Sequence, residues 1–255
     1  MHIQNLWTRL LRLAILTTTA IMPSVSGASE PVRTIVLVHG AFTDGSIWSD
    51  VMARLQARGF TVASVQNPLT SLAADIEATT RVLQRQQGSV LIVGHSWAGA
   101  VVTAAANAGN VRGIAYVSAL VPDSNESVAQ MLQRHALPME ALQPDRDGMI
   151  WLDETDFTRI MAGDVDAGKV RLLAAAQQPI AARAFAETIG KAAWRDKPSF
   201  YLVTAGDAAV PDSLQRKMAA QAGAAVTTLT SSHLSMVSHP QAVADFLERA
   251  ASALP

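Results

Sequence analysis

The stretch Leu91-Ile-Val-Gly-His-Ser-Trp-Ala-Gly-Ala100 runs an apolar strand pattern into Gly94, His95 and Ser96, then at once into small helix-forming residues. A hydroxyl on such a corner suits nucleophilic attack. The sharp turn holds its oxygen above the sheet edge, and the following helix presents its N-terminus to developing negative charge. Strand and helix approach closely there, so the positions two before and two after the serine must be small. Gly94 meets that need, and Ala98 departs from the commoner glycine by one methyl. A bare Gly-x-Ser-x-small match arises by chance in many chains; its place on a strand–helix junction gives it weight.

A serine hydroxyl is a poor nucleophile without a base, and the base needs an orienting acid. Of six histidines, His2 belongs to the N-terminal segment, while His39 and His95 sit inside turn motifs and read as structural. His135 reads as a surface residue, and His239, just before Pro240, as a capping or surface residue. His233 in TSSHLSMVSHP follows the last predicted strand and is the expected base. Two aspartates follow strands and could orient it: Asp207 in YLVTAGDAAVPD and Asp123 in ALVPDSNES. The chain order serine, aspartate, histidine favours Asp207. For the oxyanion, IVLVHGAFTDGSIW runs the first strand into His39-Gly40-Ala41-Phe42. The expected donors are the backbone N–H groups of Ala41 and Trp97, with Phe42 as the neighbouring alternative to Ala41.

These residues need a scaffold that gathers strand ends at one rim. RTIVLVHG, TVASVQNP, SVLIVGHS and VRGIAYVSAL read as strands. They alternate with helical patterns in SIWSDVMARLQARGF, with Ser46 as expected N-cap, in SLAADIEATTRVLQRQQG, ending at Gly88, and in WAGAVVTAAANAGN. Alternation of this kind implies an α/β fold with a mainly parallel sheet of about six strands, helices on both faces. The rhythm breaks over about 121–197, which shows no convincing strand and holds helical stretches in ESVAQMLQRHAL, DFTRIMAG, VDAGKVRLLAAAQQ and PIAARAFAETIG. A structureless loop of that length would be improbable, so a helical lid inserted after the fourth strand is expected. It leaves from the carboxyl end of a strand, where open α/β sheets bind ligands. PSFYLVTAGD and AAVTTLT complete the strands, with helices in PDSLQRKMAAQAG and HPQAVADFLERAASAL.

The composition suits a globular domain with a large core, at 49% hydrophobic and 16% charged residues. A net charge of −1 without charge runs gives no sign of a nucleic-acid partner, and the absence of cysteine excludes disulfides and thiolate chemistry. MHIQNLWTRLLR, with Arg9 and Arg12 and no acid, precedes the apolar LAILTTTAIM and then Ser-Val-Ser-Gly-Ala. This is the order of a secretory signal peptide over residues 1–28, cleaved after Ala28, with the apolar run too short for a comfortable membrane span. The expected mature domain is 29–255, exported to the periplasm or beyond, with no stable membrane association.

Taken together, LVHGAF with Trp48 after it, GHSWAGAVV, DAAVPDSLQRKMA and SSHLSMVSHP resemble the α/β-hydrolase superfamily, and within it bacterial esterase-like members related to plant methylesterases and hydroxynitrile lyases. The likeness spans nearly all of the mature chain and is more specific for fold and triad than for substrate. The D-x-x-V-P-x-x-x-Q-R run beginning at Asp207 resembles that group closely, which implies Asp207 rather than Asp123 as the acid. The related lyases carry a lysine directly after the catalytic histidine and a threonine in the first-strand loop. Here Leu234 and Gly40 stand in those places, so the resemblance implies hydrolysis. Trp97 departs from the tyrosine, leucine or glutamine often found after the nucleophile.

The expected activity is cleavage of a small or medium hydrophobic carboxylic ester, aromatic ones included, through Ser96, His233 and Asp207. A lactone is the alternative substrate; a ligand-binding or lyase member of the fold is the alternative class. No metal or organic cofactor is expected, since no histidine–acid cluster has metal-ligand spacing. The lid offers Met131, Met139, Met149, Ile150, Trp151, Phe157, Met161, Phe185 and Trp194, and of these Met131, Trp151 and Phe185, with Phe42, are the expected pocket residues. A histidine base works only when neutral, so activity is expected to rise with pH through the neutral range.

Overall fold

Strand β1 (Thr34–Val38) is buried at every residue. After a 3₁₀ turn, α1 (Ser49–Ala57), β2 (Thr61–Val65) and α2 (Leu72–Gln84) lead to β3 (Val90–His95), also buried throughout. Continuous burial of this kind marks parallel strands covered by helices on both faces, which is why both read as unbroken apolar runs. The computed structural model describes residues 31–136 and 143–254. The segment read as a signal peptide and Met139 lie outside those residues.

Helix α3 (Ala98–Ala105) and β4 (Val111–Val117) follow, and the sheet closes with β7 (Ser199–Thr204) and β8 (Ala225–Leu229) around the insertion described next. All pairings in the order β2-β1-β3-β4-β7-β8 are parallel. The chain winds from β1 outward to β2, returns to β3 and then winds the other way. The switch point therefore falls between β1 and β3, whose carboxyl ends carry Gly40–Phe42 and Ser96. A crevice outside those ends is where such a sheet takes ligands.

Between β4 and β7 the insertion runs α4 (Val128–Arg134), β5 (Met149–Ile150), α5 (Glu154–Asp156), a π-helical turn Phe157–Met161, α6 (Ala167–Ala175) and β6 (Ile180–Ala181). It is not strand-free as expected. β5 pairs antiparallel with β6, setting Ile150 opposite Ile180, both buried. PIAARAFAETIG, read as a helix, instead supplies β6 and a 3₁₀ turn at Ala182–Ala186. Long-range pairing overrides helix propensity there, and Ala181 N–H donates to Leu69 O at 2.9 Å, fastening the insertion to the loop after β2.

Two helix ends also differ from expectation. Asp44, not Ser46, caps the turn before α1, its carboxylate accepting from Ser46 N–H at 2.7 Å. Helix α2 ends at Gln84, ahead of Gly88. The chain finishes with α7 (Asp212–Gln221) between β7 and β8, a short α8 (Ser235–Ser238), and α9 (Pro240–Ser252), which opens with proline in its first turn.

Candidate active site

Ser96 sits on the corner between β3 and α3 at φ +53°, a left-handed conformation that a non-glycine residue adopts only where its surroundings enforce it. Enforcement comes from β4 and the loop after it, and from the first turn of α3. Ser96 N–H donates to Val117 O at 3.2 Å, and Ser96 O accepts from Gly99 N–H at 2.9 Å and Leu120 N–H at 3.0 Å. A Cβ at position 94 would lie 2.6 Å from Val102 Cγ2 and 2.7 Å from Ala98 O, so only glycine lets α3 leave the strand at this angle. At Gly40 a Cβ would lie 2.8 Å from Ser96 Cβ. The β1 loop thus passes directly against the serine.

The ring of His233 is buried, with Nδ1 held 2.7 Å from Asp207 Oδ2. That oxygen also accepts from Thr204 Oγ1 (2.9 Å) and Gln215 Nε2 (3.1 Å), and Oδ1 accepts the N–H groups of Ala209 and Val210, each at 2.8 Å. Five donors converge on a side chain with no solvent exposure, an arrangement that suits an acceptor-only carboxylate. Donation from Nδ1 leaves the lone pair of a neutral imidazole on Nε2. Among the described residues, Nε2 is buried and has no hydrogen-bond partner.

Ser96 and His233 line the same cavity, of about 340 Å³, within the range of small-molecule sites. Apart from these two and Arg159, its lining side chains are apolar. Phe42 and Phe185 line it, as do Ala41 and Trp97, the residues expected to supply the oxyanion donors. Met131 and Trp151 do not. The Met131 side chain is wholly buried in the core, and Trp151 is 52% exposed with its indole N–H donating to Asp145 at 3.2 Å. Their chain neighbours Leu132 and Leu152 face the cavity instead. Among the described residues, the backbone N–H groups of Ala41, Phe42 and Trp97 make no hydrogen bond.

Asp123 pairs with Arg195, Oδ1 to Nε at 2.8 Å, and is not the carboxylate that bonds His233. His39 accepts Asn67 N–H at Nε2 (2.9 Å), and His95 bonds the backbone oxygen of His233 through Nε2 (3.1 Å). Burial holds both rings below the ordinary histidine pKa, His95 well below it, so each stays neutral and structural. His239 lies 3.3 Å from Asp164. Sequence reasoning missed Thr204 and Gln215 as supports of Asp207, although Gln215 stands inside the D-x-x-V-P-x-x-x-Q-R run. It also missed Asp75, whose carboxylate accepts the Trp97 indole N–H at 2.8 Å. Nothing in its helical spacing separates Asp75 from a solvated acid.

Residues 35–246 match the profile of the alpha/beta hydrolase family, and the chain belongs to that family. Among curated relatives, it is 26% identical over 242 residues to the alpha/beta hydrolase nvfD of Aspergillus novofumigatus, covering 85% of this chain and 96% of that protein. It is 30% identical over 119 residues to a carbendazim hydrolyzing esterase of a Nocardioides species, covering 41% of this chain and 49% of the relative. Among solved structures, a pyrethroid hydrolase of Sphingobium faniae superposes with a TM-score of 0.73 at 21% identity, covering 87% of this chain and 98% of that one. Polyneuridine aldehyde esterase superposes at 0.75 and 17% identity, covering 86% and 99%. A tomato methylketone synthase variant shares the fold at a TM-score of 0.72, with 15% identity and coverage of 86% and 98%.

Proposed function

We propose that the protein is a carboxylic-ester hydrolase acting through Ser96, His233 and Asp207. The observation that carries this reading is the meeting, in one apolar cavity, of a serine on a strained strand–helix corner with a histidine bonded to a buried aspartate. The names of a carbendazim hydrolyzing esterase similar in sequence and of a polyneuridine aldehyde esterase that shares the fold agree with it.

In the first step Ser96 Oγ attacks the ester carbonyl carbon, and its proton passes to His233 Nε2. Asp207 keeps the ring in the Nδ1–H tautomer and stabilises its charged form. The negative oxygen is received by the backbone N–H groups of Trp97 and of Ala41, with Phe42 N–H adjacent. Each such donor is worth about 3 kcal/mol of transition-state stabilisation. Collapse breaks the bond to the alcohol oxygen, which takes the proton from Nε2. Water then attacks the acyl-enzyme, giving a proton to Nε2, and the acid leaves as that proton returns to Ser96 Oγ. On substrate entry the Ser96 hydroxyl is expected to donate to Nε2, since catalytic hydrogen bonds often form or tighten only in the Michaelis complex.

The cavity volume and apolar walls suit small or medium hydrophobic esters, aromatic ones included. The test is a panel of p-nitrophenyl esters of rising acyl length and a set of lactones, run on purified protein with Ser96→Ala beside it. Turnover abolished by the substitution, together with rapid stoichiometric labelling of the unsubstituted protein by a fluorophosphonate, is the expected result. Undiminished turnover by Ser96→Ala would overturn the reading. Lactone opening exceeding ester cleavage would move the substrate class and keep the triad.

A further inference from the structure

Asp75, on α2, is a fully buried acid that no cation pairs with among the described residues. Its two oxygens are occupied separately. Oδ1 accepts Leu69 N–H at 2.8 Å, and Oδ2 accepts the Trp97 indole N–H at 2.8 Å. Leu69 is itself held at φ +57° and its carbonyl takes Ala181 N–H from the insertion. Burial pushes the Asp75 carboxyl up to about 6, with Glu187 of the insertion adding to the rise. A buried carboxylate without a counter-ion is costly, and an apolar residue on this helix face would avoid the cost. What the carboxylate secures is the residue immediately after Ser96.

Trp97 is 1% exposed. The residue lines the cavity, and its ring packs against Phe185 of the insertion, centroids 4.9 Å apart at 54°. One end of this residue is pinned to α2 through the indole nitrogen; at the other end lies the backbone N–H assigned above to the oxyanion. Releasing the indole removes a side-chain restraint on the residue that carries that N–H.

We propose that Asp75 is a positioning residue for ester cleavage, holding the Trp97 indole so that the ring walls the cavity and the backbone N–H stays aimed at the reacting oxygen. The inference rests on the esterase reading. Asp75 does not line the cavity and touches no substrate. An amide would not replace it. Two N–H donors arrive at two oxygens, and an asparagine meets one of those donors with its own NH₂. This gives the oxyanion donor a side-chain handle that substitution of a backbone group cannot offer.

The test uses Asp75→Asn, Trp97→Phe and the double variant on a p-nitrophenyl ester, each rate expressed per site titrated by a fluorophosphonate. Misfolding lowers the number of sites, whereas mispositioning lowers kcat per site. For Asp75→Asn a fall in kcat of about 10-fold is expected, with KM changed less than about 3-fold, a fraction of the loss seen when an oxyanion donor is removed outright. Trp97→Phe deletes the indole N–H that would face the amide NH₂. The double variant should therefore recover kcat relative to Asp75→Asn, a rescue that a merely structural role would not produce.

Unchanged kcat per site in Asp75→Asn, or losses that multiply in the double variant, would overturn the inference. If Asp75→Asn gives no titratable sites, Trp97→Phe alone decides: a lowered kcat at near-constant KM supports the role of the anchor, and an unchanged kcat overturns it. Failure of the esterase reading shows separately, as turnover surviving Ser96→Ala.

Discussion

His95 Nε2 bonds the carbonyl oxygen of His233 across 3.1 Å, tying the strand end that carries the serine to the loop that carries the base. The rings lie 4.6 Å apart, and His95 Nδ1 is buried without a partner among the described residues. His95→Ala would leave the His233 carbonyl buried and unpaired, a loss of about 1–3 kcal/mol beyond the void created. Small displacements of a base cost rate steeply, so kcat per titrated site is expected to fall about 10-fold or more. Urea unfolding and single-site kinetics on the same preparation check both halves.

Stability should fall on acidification, and three buried groups set the slope. His95 and His39 have folded-state pKa values below the ordinary histidine value, chiefly from burial. The stability they permit is present above about pH 6.5 and is lost as pH falls toward their folded values, because only the unfolded chain takes up the protons. Asp75 has the opposite sign. Its folded pKa of about 6 lies above the ordinary aspartate value of 3.8, so it costs about 3 kcal/mol at neutral pH and recovers that as pH falls from 6 to 4. His95, held well below the ordinary value, goes on losing stability over the interval in which Asp75 recovers its own, and His39 adds to that loss, so the urea midpoint should drop between pH 7 and 5. His95→Gln should flatten that drop and Asp75→Asn should steepen it; the reverse ordering would refute this assignment of signs.

The two aspartates weighed for the acid predict different losses. Asp207 is enclosed by five donors besides having no exposure, and Asp207→Asn presents an NH₂ group to several of them. A wrong imidazole tautomer then follows, and kcat should fall by about 10⁴. Asp123 lies at the surface with its carboxyl held low; burial opposes the charge, but hydrogen bonds from Arg195 and Ser124 outweigh it. Asp123→Asn should change stability by less than about 1 kcal/mol and leave kcat within about two-fold. Equal losses in the two variants would remove the ground for preferring Asp207.

What was legible in the chain follows physical range. The small residues around Ser96 answer a local contact, Gly94 against Ala98 and Val102, and parallel strands buried on both faces must be apolar runs, so both could be read directly. The insertion could not be read in the same detail. Met131 and Trp151 were each expected in the cavity, yet the adjacent Leu132 and Leu152 face it. A segment with apolar residues on several faces does not fix its own rotation; the sheet and helices beneath it do. Ile180 likewise becomes a strand only because Ile150 lies opposite. Asp75 was invisible for a related reason, since its burial comes from elements distant in sequence.

The insertion also grips the histidine loop, and loosening that grip should slow the enzyme. Asp164 accepts Ser232 N–H at 3.0 Å and the Ser232 hydroxyl, while Met161 O accepts Leu234 N–H at 3.0 Å. Both chain neighbours of His233 are therefore held by one short segment of the insertion. Burial of Asp164 opposes its charge, yet hydrogen bonds from Ser232, Ser231 and Ser238 prevail and hold its carboxyl below the usual value. Its contribution to stability is thus present above the unfolded aspartate pKa and is lost as pH falls through the lower folded one. Asp164→Ala removes the acceptor that Ser232, Ser231 and Ser238 share and should cost about 1–3 kcal/mol. Since His233 lies between the two held residues, kcat per titrated site should fall about 3- to 10-fold, with Asp164→Asn between the variant and the parent protein. A lowered melting temperature with undiminished kcat per site would mean that the insertion stabilises the loop without positioning the base.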